Sequence, residues 1–113
     1  MSYCIRGNIL EVHDSEVRFE DDIMQALKVG DILIVVLDIA GEKLIDNVYG
    51  VLDGKVEWRI QSYLELDSTF EQTSYVLAGK IDEKEVVVTD FCGCKFKIDV
   101  KSGKIIGRMS SMK

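Results

Sequence analysis

The chain has 113 residues, no proline, 47% hydrophobic and 30% charged residues, and a formal net charge of -6. These values fit a single globular domain over residues 1–113 and exclude a disordered chain. The negative charge disfavours nucleic acid and anionic membranes as partners, because binding to phosphate depends on Lys and Arg. A basic partner would be attracted, although the same charge also suits a surface that only keeps the protein in solution.

Alternating apolar and polar residues begin at the N-terminus and predict strands at 3–12 and 16–20. The segment 21–28 is ambiguous, since Asp21 could cap a short helix and an extended path fits nearly as well. The continuous, β-branched run "ILIVVLDI" at 32–39 predicts a central strand that is buried on both faces.

The Asp53-Gly54 pair predicts a type I′ hairpin turn between strands at 44–52 and 55–66, because this turn requires positive φ at both positions. The returning strand should place alternate apolar residues on one face: Val56, Trp58 and Ile60. Residues 67–73 break the alternation and predict the longest loop.

Further strands are predicted at 74–81, 85–91, 94–100 and 104–109. Short strands with regular turn signals predict an all-β fold. We expect a single antiparallel, meander-like sheet that forms a sandwich or a partly closed barrel, with at most one short helix near 21–28.

The three cysteines do not describe a disulfide framework, and they fit reduced thiols in a cytoplasmic protein. Structural zinc needs four ligands, commonly in two close pairs, whereas Cys92 and Cys94 have only the distant Cys4 and His13. Redox motifs usually place two residues between the cysteines and a helix after them. We therefore predict buried thiols at a bend, and no metal or cofactor.

The catalytic signals are weak. The single histidine, His13, lies in an acidic turn without a recognisable nucleophile, so a small hydrolase that uses it is a minor alternative. No phosphate-binding glycine loop and no nucleophile elbow occurs. The N-terminus has no long apolar run, which predicts neither a signal peptide nor a membrane anchor. The sequence favours a protein that is not an enzyme.

No Lys or Arg occurs between residues 60 and 79, whereas the segment contains Glu65, Asp67 and Glu71 together with several aromatic residues. Aromatic anchors surrounded by acids suit a surface that binds a basic protein. The predicted contact set is Tyr63, Glu65, Asp67, Phe70 and Glu71, with a second set of Glu20, Asp21 and Asp22. Burial in the core is the alternative for the aromatic members, as for most aromatic residues.

Two segments resemble blades of quinoprotein-type β-propellers. "NVYGVLDGKVEW" at 47–58 resembles the strand, Asp-Gly turn, strand and Trp unit of a blade, and "DFCGCKFKIDVKSGKIIG" at 90–107 resembles a later unit. The matching positions in the second segment are Asp90, Gly93, Ile98, Asp99, Ser102, Gly103 and Lys104. These are scaffold motifs, and a chain of this length cannot close a propeller.

The order "ALKVGDILIVVLD", "DNVYGVLDGKVEWRIQ", "SYVLAG" and "FCGCKFKIDVKSGKI", which extends over residues 26–107, is similar to a family of short bacterial β-domain proteins. Their size and acidity resemble immunity proteins of bacterial competition systems, including contact-dependent growth inhibition. The resemblance implies a cytoplasmic protein that binds a cognate toxin domain, often a basic nuclease, and occludes its active site. The alternative is a ligand-binding or self-associating β-domain, for instance a homodimer through strand 104–109.

Overall fold

The computed structural model of the chain describes residues 3–38 and 45–109. These residues form eleven strands and one short 3-10 turn at Tyr63–Glu65. The strands are β1 (Tyr3–Arg6), β2 (Ile9–Val12), β3 (Ser15–Arg18), β4 (Ile23–Val29), β5 (Ile32–Leu37), β6 (Val48–Leu52), β7 (Lys55–Arg59), β8 (Tyr75–Lys80), β9 (Glu85–Asp90), β10 (Lys95–Asp99) and β11 (Ile105–Met109). The prediction of an all-β fold is confirmed.

The strands form three antiparallel sheets that are stacked in layers. The orders are β1-β2-β3 for the N-terminal sheet, β4-β5-β6-β7 for the central sheet and β11-β10-β9-β8 for the C-terminal sheet. Sequence neighbours pair within each sheet, so the meander-like connections of the prediction are present. Within the described residues the meander is divided among three open sheets that pack face to face, which is the sandwich alternative extended by one layer.

The central sheet is covered on both faces, and its strand β5 shows this most clearly. Ile32, Ile34 and Val36 belong to the first core, which lies between the central and C-terminal sheets. The alternate residues Leu33, Val35 and Leu37 belong to the second core, between the central and N-terminal sheets. Successive side chains of a strand point to opposite faces. The predicted central strand, buried on both faces, is therefore confirmed over the residues that the structure describes.

Near the N-terminus one predicted strand differs from the structure, and the ambiguous segment adopts one of its two alternatives. The strand predicted at 3–12 is interrupted by a turn in which Gly7 adopts a φ of 59°, so that β1 folds back on β2. The ambiguous segment 21–28 is extended and forms most of β4, because its apolar residues Ile23 and Leu27 pack against the two cores.

The Asp53-Gly54 hairpin is confirmed, since φ is 52° and 75° at the two positions. The strand after it is shorter than predicted and ends at Arg59. Val56 was expected on the buried face, but 45% of it is exposed. The cause is a bulge: Trp58 pairs with Gly50 and Val56 with Val51, so Glu57 is an extra residue that shifts the alternation.

The buried amide of Asn47 joins the central and C-terminal sheets. Its Nδ2 donates to the carbonyl oxygens of Leu37 and Tyr75, each at 2.8 Å. Its Oδ1 accepts from the backbone N–H of Tyr75 at 2.8 Å.

Residues 39 and 44, at the ends of the predicted strands 32–39 and 44–52, lie outside the described residues.

The connections collect at two opposite ends of the layered structure. One end, here called the turn end, carries the hairpin turns at 13–14, 30–31, 53–54, 81–84 and 100–104. The opposite end, here called the loop end, carries the connections at 7–8, 19–22, 60–74 and 91–94. The long connections, and with them both predicted contact sets, lie at the loop end.

Candidate partner-binding surface at the loop end

The connection between β7 and β8 is ordered by its own hydrogen bonds. Ser62 begins the 3-10 turn by accepting the N–H of Leu64 at 3.3 Å. The carboxylate of Asp67 accepts from the hydroxyl of Thr69 at 2.7 Å and from its backbone N–H at 3.1 Å. These two bonds, the hydroxyl first, lower the pKa of Asp67. The loop thus holds a defined shape and keeps the Asp67 carboxylate charged.

The two aromatic residues of the first predicted set point toward the core. Tyr63 and Phe70 lie edge to face with a centroid distance of 4.8 Å, and Tyr63 lies 4.9 Å from the ring of Phe96. Arg108 covers Phe70 from outside, 5.1 Å from its ring centroid. Both aromatic residues are half-buried against the first core. Their packing is that of the core alternative, and it fixes the loop.

The acidic residues of the same set point to solvent. Glu65, Asp67 and Glu71 are exposed. Two exposed leucines, Leu64 and Leu66, are their neighbours in the sequence, and the second is 55% exposed. The sequence reasoning missed both leucines, because the expected period of two ends where the 3-10 turn begins. The surface of this loop is therefore acidic with leucines interspersed.

The second predicted set lies in the connection between β3 and β4. Glu20 accepts a hydrogen bond from the hydroxyl of Tyr49 at 3.1 Å and forms an ion pair of 3.8 Å with Arg59. Burial raises the pKa of Tyr49, and the charge of Arg59 opposes this effect. Asp21 is half-buried and Asp22 is exposed. Glu20 is thus the member of this set that is fixed in place by partners.

The two predicted sets are connected by a chain of polar contacts. Arg59, which pairs with Glu20, donates from Nε to the carbonyl oxygen of Asp46 at 2.9 Å. The side chain of Asp46 accepts from Nε2 of Gln72. The hydroxyl of Ser62 donates to Oε1 of Gln72 at 3.2 Å. Because Ser62 begins the 3-10 turn, the contacts extend from one set to the other across the loop end.

Phe91 is the most exposed large apolar residue among those described, with 69% of its surface accessible. It lies in the turn between β9 and β10, and its N–H donates to the carbonyl oxygen of Ser74 at 2.8 Å. This bond ties the turn to the end of the acidic loop. The sequence reasoning did not select Phe91, because an aromatic residue beside a strand is expected in the core.

The turn after Phe91 contains the two close cysteines. The buried carboxylate of Asp90 accepts the N–H groups of Cys92 at 3.0 Å and Cys94 at 2.8 Å through the same Oδ1 atom. Cys94 is half-buried, whereas Cys92 is exposed, contrary to the expectation that both are buried. All three cysteines are free thiols.

A groove of about 390 Å³ opens at the turn end, between the central and C-terminal sheets. Its floor is apolar and its rim carries Asp31, Glu57, Glu83 and Lys101. Glu83 is already paired with Lys80 at 2.6 Å. Lys28 also lies at this end, with its Nζ 2.9 Å from the carbonyl oxygen of Gly30. The rim offers charges of both signs and favours no particular ligand.

Within residues 3–38 and 45–109, no group of three or more His, Cys, Asp or Glu side chains is arranged to hold a metal ion. His13 is exposed in a hairpin turn at the turn end, where its φ is 55°. None of the helical segments in the described part of the chain could cross a membrane.

The fold and the loop end define a layered antiparallel β-protein with an acidic, partly apolar surface at one end. The chain belongs to the DUF7957 family, a domain of unknown function, whose model matches residues 1–109. No curated protein and no solved structure matches the chain.

Proposed function

We propose that the protein is a non-enzymatic immunity protein that binds a cognate bacterial toxin domain and neutralises it in the cytoplasm. The observation that carries this proposal is the loop end, which combines exposed acids with exposed apolar side chains on a loop that is ordered by its own hydrogen bonds. The resemblance of residues 26–107 to small immunity-type proteins agrees with this function.

The charge of the loop end is the first support. Its acids are Glu20, Asp21, Asp22, Glu65, Asp67 and Glu71. Two arginines beside these acids already have partners: Arg59 contacts Glu20 and the Asp46 carbonyl, and Arg108 covers Phe70. The exposed cations Arg18 and Lys95, at the ends of β3 and β10, also lie here but are fewer than the acids. The surface therefore presents negative charge, which accelerates encounter with a cationic protein and disfavours other partners.

Exposed apolar groups are the second support. Interfaces depend on a few anchors in their centre, often aromatic, surrounded by polar contacts. Because Tyr63 and Phe70 pack inward, we assign the anchor role to Leu64, Leu66 and Phe91, which are exposed. The hydrogen bond between Phe91 and Ser74 joins these anchors to one framework. Such preorganisation reduces the entropy that binding costs.

The mechanism that follows is occlusion. A nuclease binds its substrate through cationic groups that recognise phosphate. An acidic surface that covers those groups excludes the substrate without any chemical step. Stable protein complexes bury about 1,200–2,000 Å² in total. The two acidic sets, at residues 20–22 and 63–71, are connected at the loop end and together suit an interface of this class.

The test is co-expression with the toxin encoded by the adjacent gene, combined with charge reversal. We expect the triple variant Glu65→Lys, Asp67→Lys and Glu71→Lys to lose protection from growth arrest and to stop co-purifying with the toxin. The matched control is Asp14→Lys, Asp31→Lys and Glu57→Lys, three exposed acids at the turn end. This control changes the net charge equally and should still protect.

The two variants separate the possible outcomes. Equal loss of protection in both would mean that net charge matters and the loop end does not. Full protection by the loop-end variant would exclude the named surface. Tight association that does not weaken as salt is raised would contradict the electrostatic part of the mechanism, since exposed charges are screened by salt.

Self-association is the second candidate function, and the edge strand β11 favours it. β11 lies at the edge of the C-terminal sheet and carries Ile106, which is 51% exposed. Gln61 already accepts the N–H of Ile105 at 2.9 Å, so only the later part of the edge is open. A dimer through β11 predicts a molecular mass that rises with concentration in sedimentation and falls back in Ile106→Lys.

A further inference from the structure

The turn between β9 and β10 holds two thiols in a fixed arrangement. Gly93, with a φ of 91°, lies between Cys92 and Cys94, and its N–H donates to the carbonyl oxygen of Asp90 at 3.0 Å. The side chain of Asp90 binds the N–H groups of both cysteines. This is a three-residue hairpin loop closed by a glycine in the left-handed region. The backbone N–H groups of both cysteines are therefore held by one carboxylate oxygen.

The spacing permits a bond between the two sulfur atoms. Residues separated by one position have Cα atoms at most about 7 Å apart even in a fully extended chain. A turn shortens this distance, toward the range of about 4.4–6.8 Å that is usual for disulfides. No heavy atom outside the turn lies within 4 Å of the position that a Gly93 side chain would take. The loop is thus open to a small reagent.

The two thiols differ in accessibility and surroundings. Cys92 is exposed and can meet a reagent first, whereas Cys94 is half-buried. Arg108 donates from Nη2 to Sγ of Cys94 at 3.4 Å. This contact places a cationic hydrogen-bond donor at the sulfur atom of the less accessible thiol. Neither thiol belongs to a larger group of metal-binding side chains in the described residues.

We propose that Cys92 and Cys94 form a thiol–disulfide exchange site that reacts with low-molecular-weight disulfides such as oxidised glutathione. The Cys92 thiolate attacks one sulfur of oxidised glutathione, whose S–S bond breaks and releases one glutathione. Cys94 then loses its proton and attacks the Cys92 sulfur of the mixed disulfide, which releases the second glutathione. The protein loses two electrons and two protons, which together are two hydrogen atoms, and one oxidised glutathione is reduced to two molecules of glutathione.

The test uses the purified, reduced full chain and does not depend on toxin binding. The chain is incubated with oxidised glutathione, alkylated with iodoacetamide and mapped by peptide mass spectrometry. We expect the peptide with Cys92 and Cys94 to lose two hydrogens and to take no label. Cys4 is the internal control: as a single exposed thiol, it should carry either a label or a glutathione.

A variant tests the order of the two steps. In Cys94→Ser the second step is impossible, so the mixed disulfide on Cys92 should accumulate at least about tenfold above its level in the unaltered chain, where an internal thiol competes at high effective concentration. Two glutathiones on the Cys92–Cys94 peptide of the unaltered chain, or two labels after treatment, would overturn the proposal. The unaltered chain decides the question even if the variant unfolds.

Discussion

The side-chain amide of Gln25 pairs with the backbone of Ala78 as a neighbouring strand would. Nε2 of Gln25 donates to the Ala78 carbonyl oxygen at 2.8 Å, and Oε1 accepts from the Ala78 N–H at 2.9 Å. Gln25 lies on β4, at one edge of the central sheet, and Ala78 lies on β8, at one edge of the C-terminal sheet. One side chain thus satisfies two backbone groups of an edge strand and joins two layers.

Removal of this amide should destabilise the protein. We expect Gln25→Ala to lower the free energy of unfolding by about 1–3 kcal/mol, because two partly buried backbone groups lose their partners. Urea unfolding measures this change. The control is the neighbouring residue Met24, which is exposed, and Met24→Ala should change the free energy by less than about 0.5 kcal/mol. Equal effects of the two substitutions would show that the amide contributes nothing specific.

Gly50 should tolerate no side chain, because Trp58 occupies the space beside it. A Cβ at Gly50 would lie 2.2 Å from Cε2 of Trp58, whose indole N–H is bonded to the Val100 carbonyl at 2.8 Å. We expect Gly50→Ala to cost at least about 1–3 kcal/mol through overpacking. Gly107 is the matched control, since nothing lies within 4 Å of its Cβ position. A thermal melt in which both alanine variants unfold at one temperature would contradict this packing.

The hydroxyl of Tyr75 is buried and has no hydrogen-bond partner in the described part of the chain. Replacement by Phe removes a polar group that is costly to bury, so we expect Tyr75→Phe to be neutral or to stabilise the protein by about 1 kcal/mol. Tyr49 provides the contrast, because its hydroxyl donates to Glu20 and Tyr49→Phe loses that bond. Urea unfolding at neutral pH compares the two variants, and a large loss in Tyr75→Phe would contradict the assignment.

The same residue predicts a pH dependence. Burial raises the pKa of Tyr75 above its usual value. Below about pH 10 both the folded and the unfolded state keep the phenol proton, so this group has no influence there. Above that pH the unfolded state loses the proton while the folded state retains it, and stability falls as pH rises. Unfolding at increasing alkaline pH should therefore show a smaller loss in Tyr75→Phe than in the unaltered chain.

The proposed anchors can be separated from ordinary exposed residues. Phe91→Ala and Leu66→Ala should each weaken binding to the toxin by about 1–2 kcal/mol or more if they are anchors, while stability stays nearly unchanged because both are exposed. The control is Leu77→Ala, an exposed leucine on β8. Calorimetric titration measures the affinities. Unchanged affinity in both loop-end variants would remove these residues from the contact surface.

Much of the fold could be predicted from the sequence, because each strand carries its own signal. Strand β5 has an unbroken β-branched pattern, and Asp53-Gly54 is a specific turn motif. The errors arise where the pairing between strands differs from what the alternation of apolar and polar residues predicts. The bulge at Glu57 turns Val56 outward, and no residue near it in the sequence predicts a bulge. The glycine of Gly7-Asn8 indicates a turn, but the alternation of apolar and polar residues on both sides of it favoured one continuous strand.

The candidate surface was predictable in position but not in detail. The acids could be located because a segment without Lys or Arg is visible in any sequence. The direction of the aromatic side chains was not predictable. Tyr63 and Phe70 point inward because they pack against the ring of Phe96, about 30 residues later in the chain. Phe91 is exposed because the carboxylate of Asp90 holds the turn beside it. Such long-range causes leave no local pattern.

The burial of β5 between two other sheets has a consequence for aggregation. Ile32–Leu37 is a six-residue, uncharged, largely β-branched segment, which is the type of sequence that stacks into cross-β fibrils once it is accessible. In the folded protein the N-terminal and C-terminal sheets cover this segment on its two faces. Loss of either outer layer, by truncation or by partial melting, would uncover one side of this segment. Fibrillisation would then compete with refolding, so the integrity of the outer layers governs the shelf life of the protein.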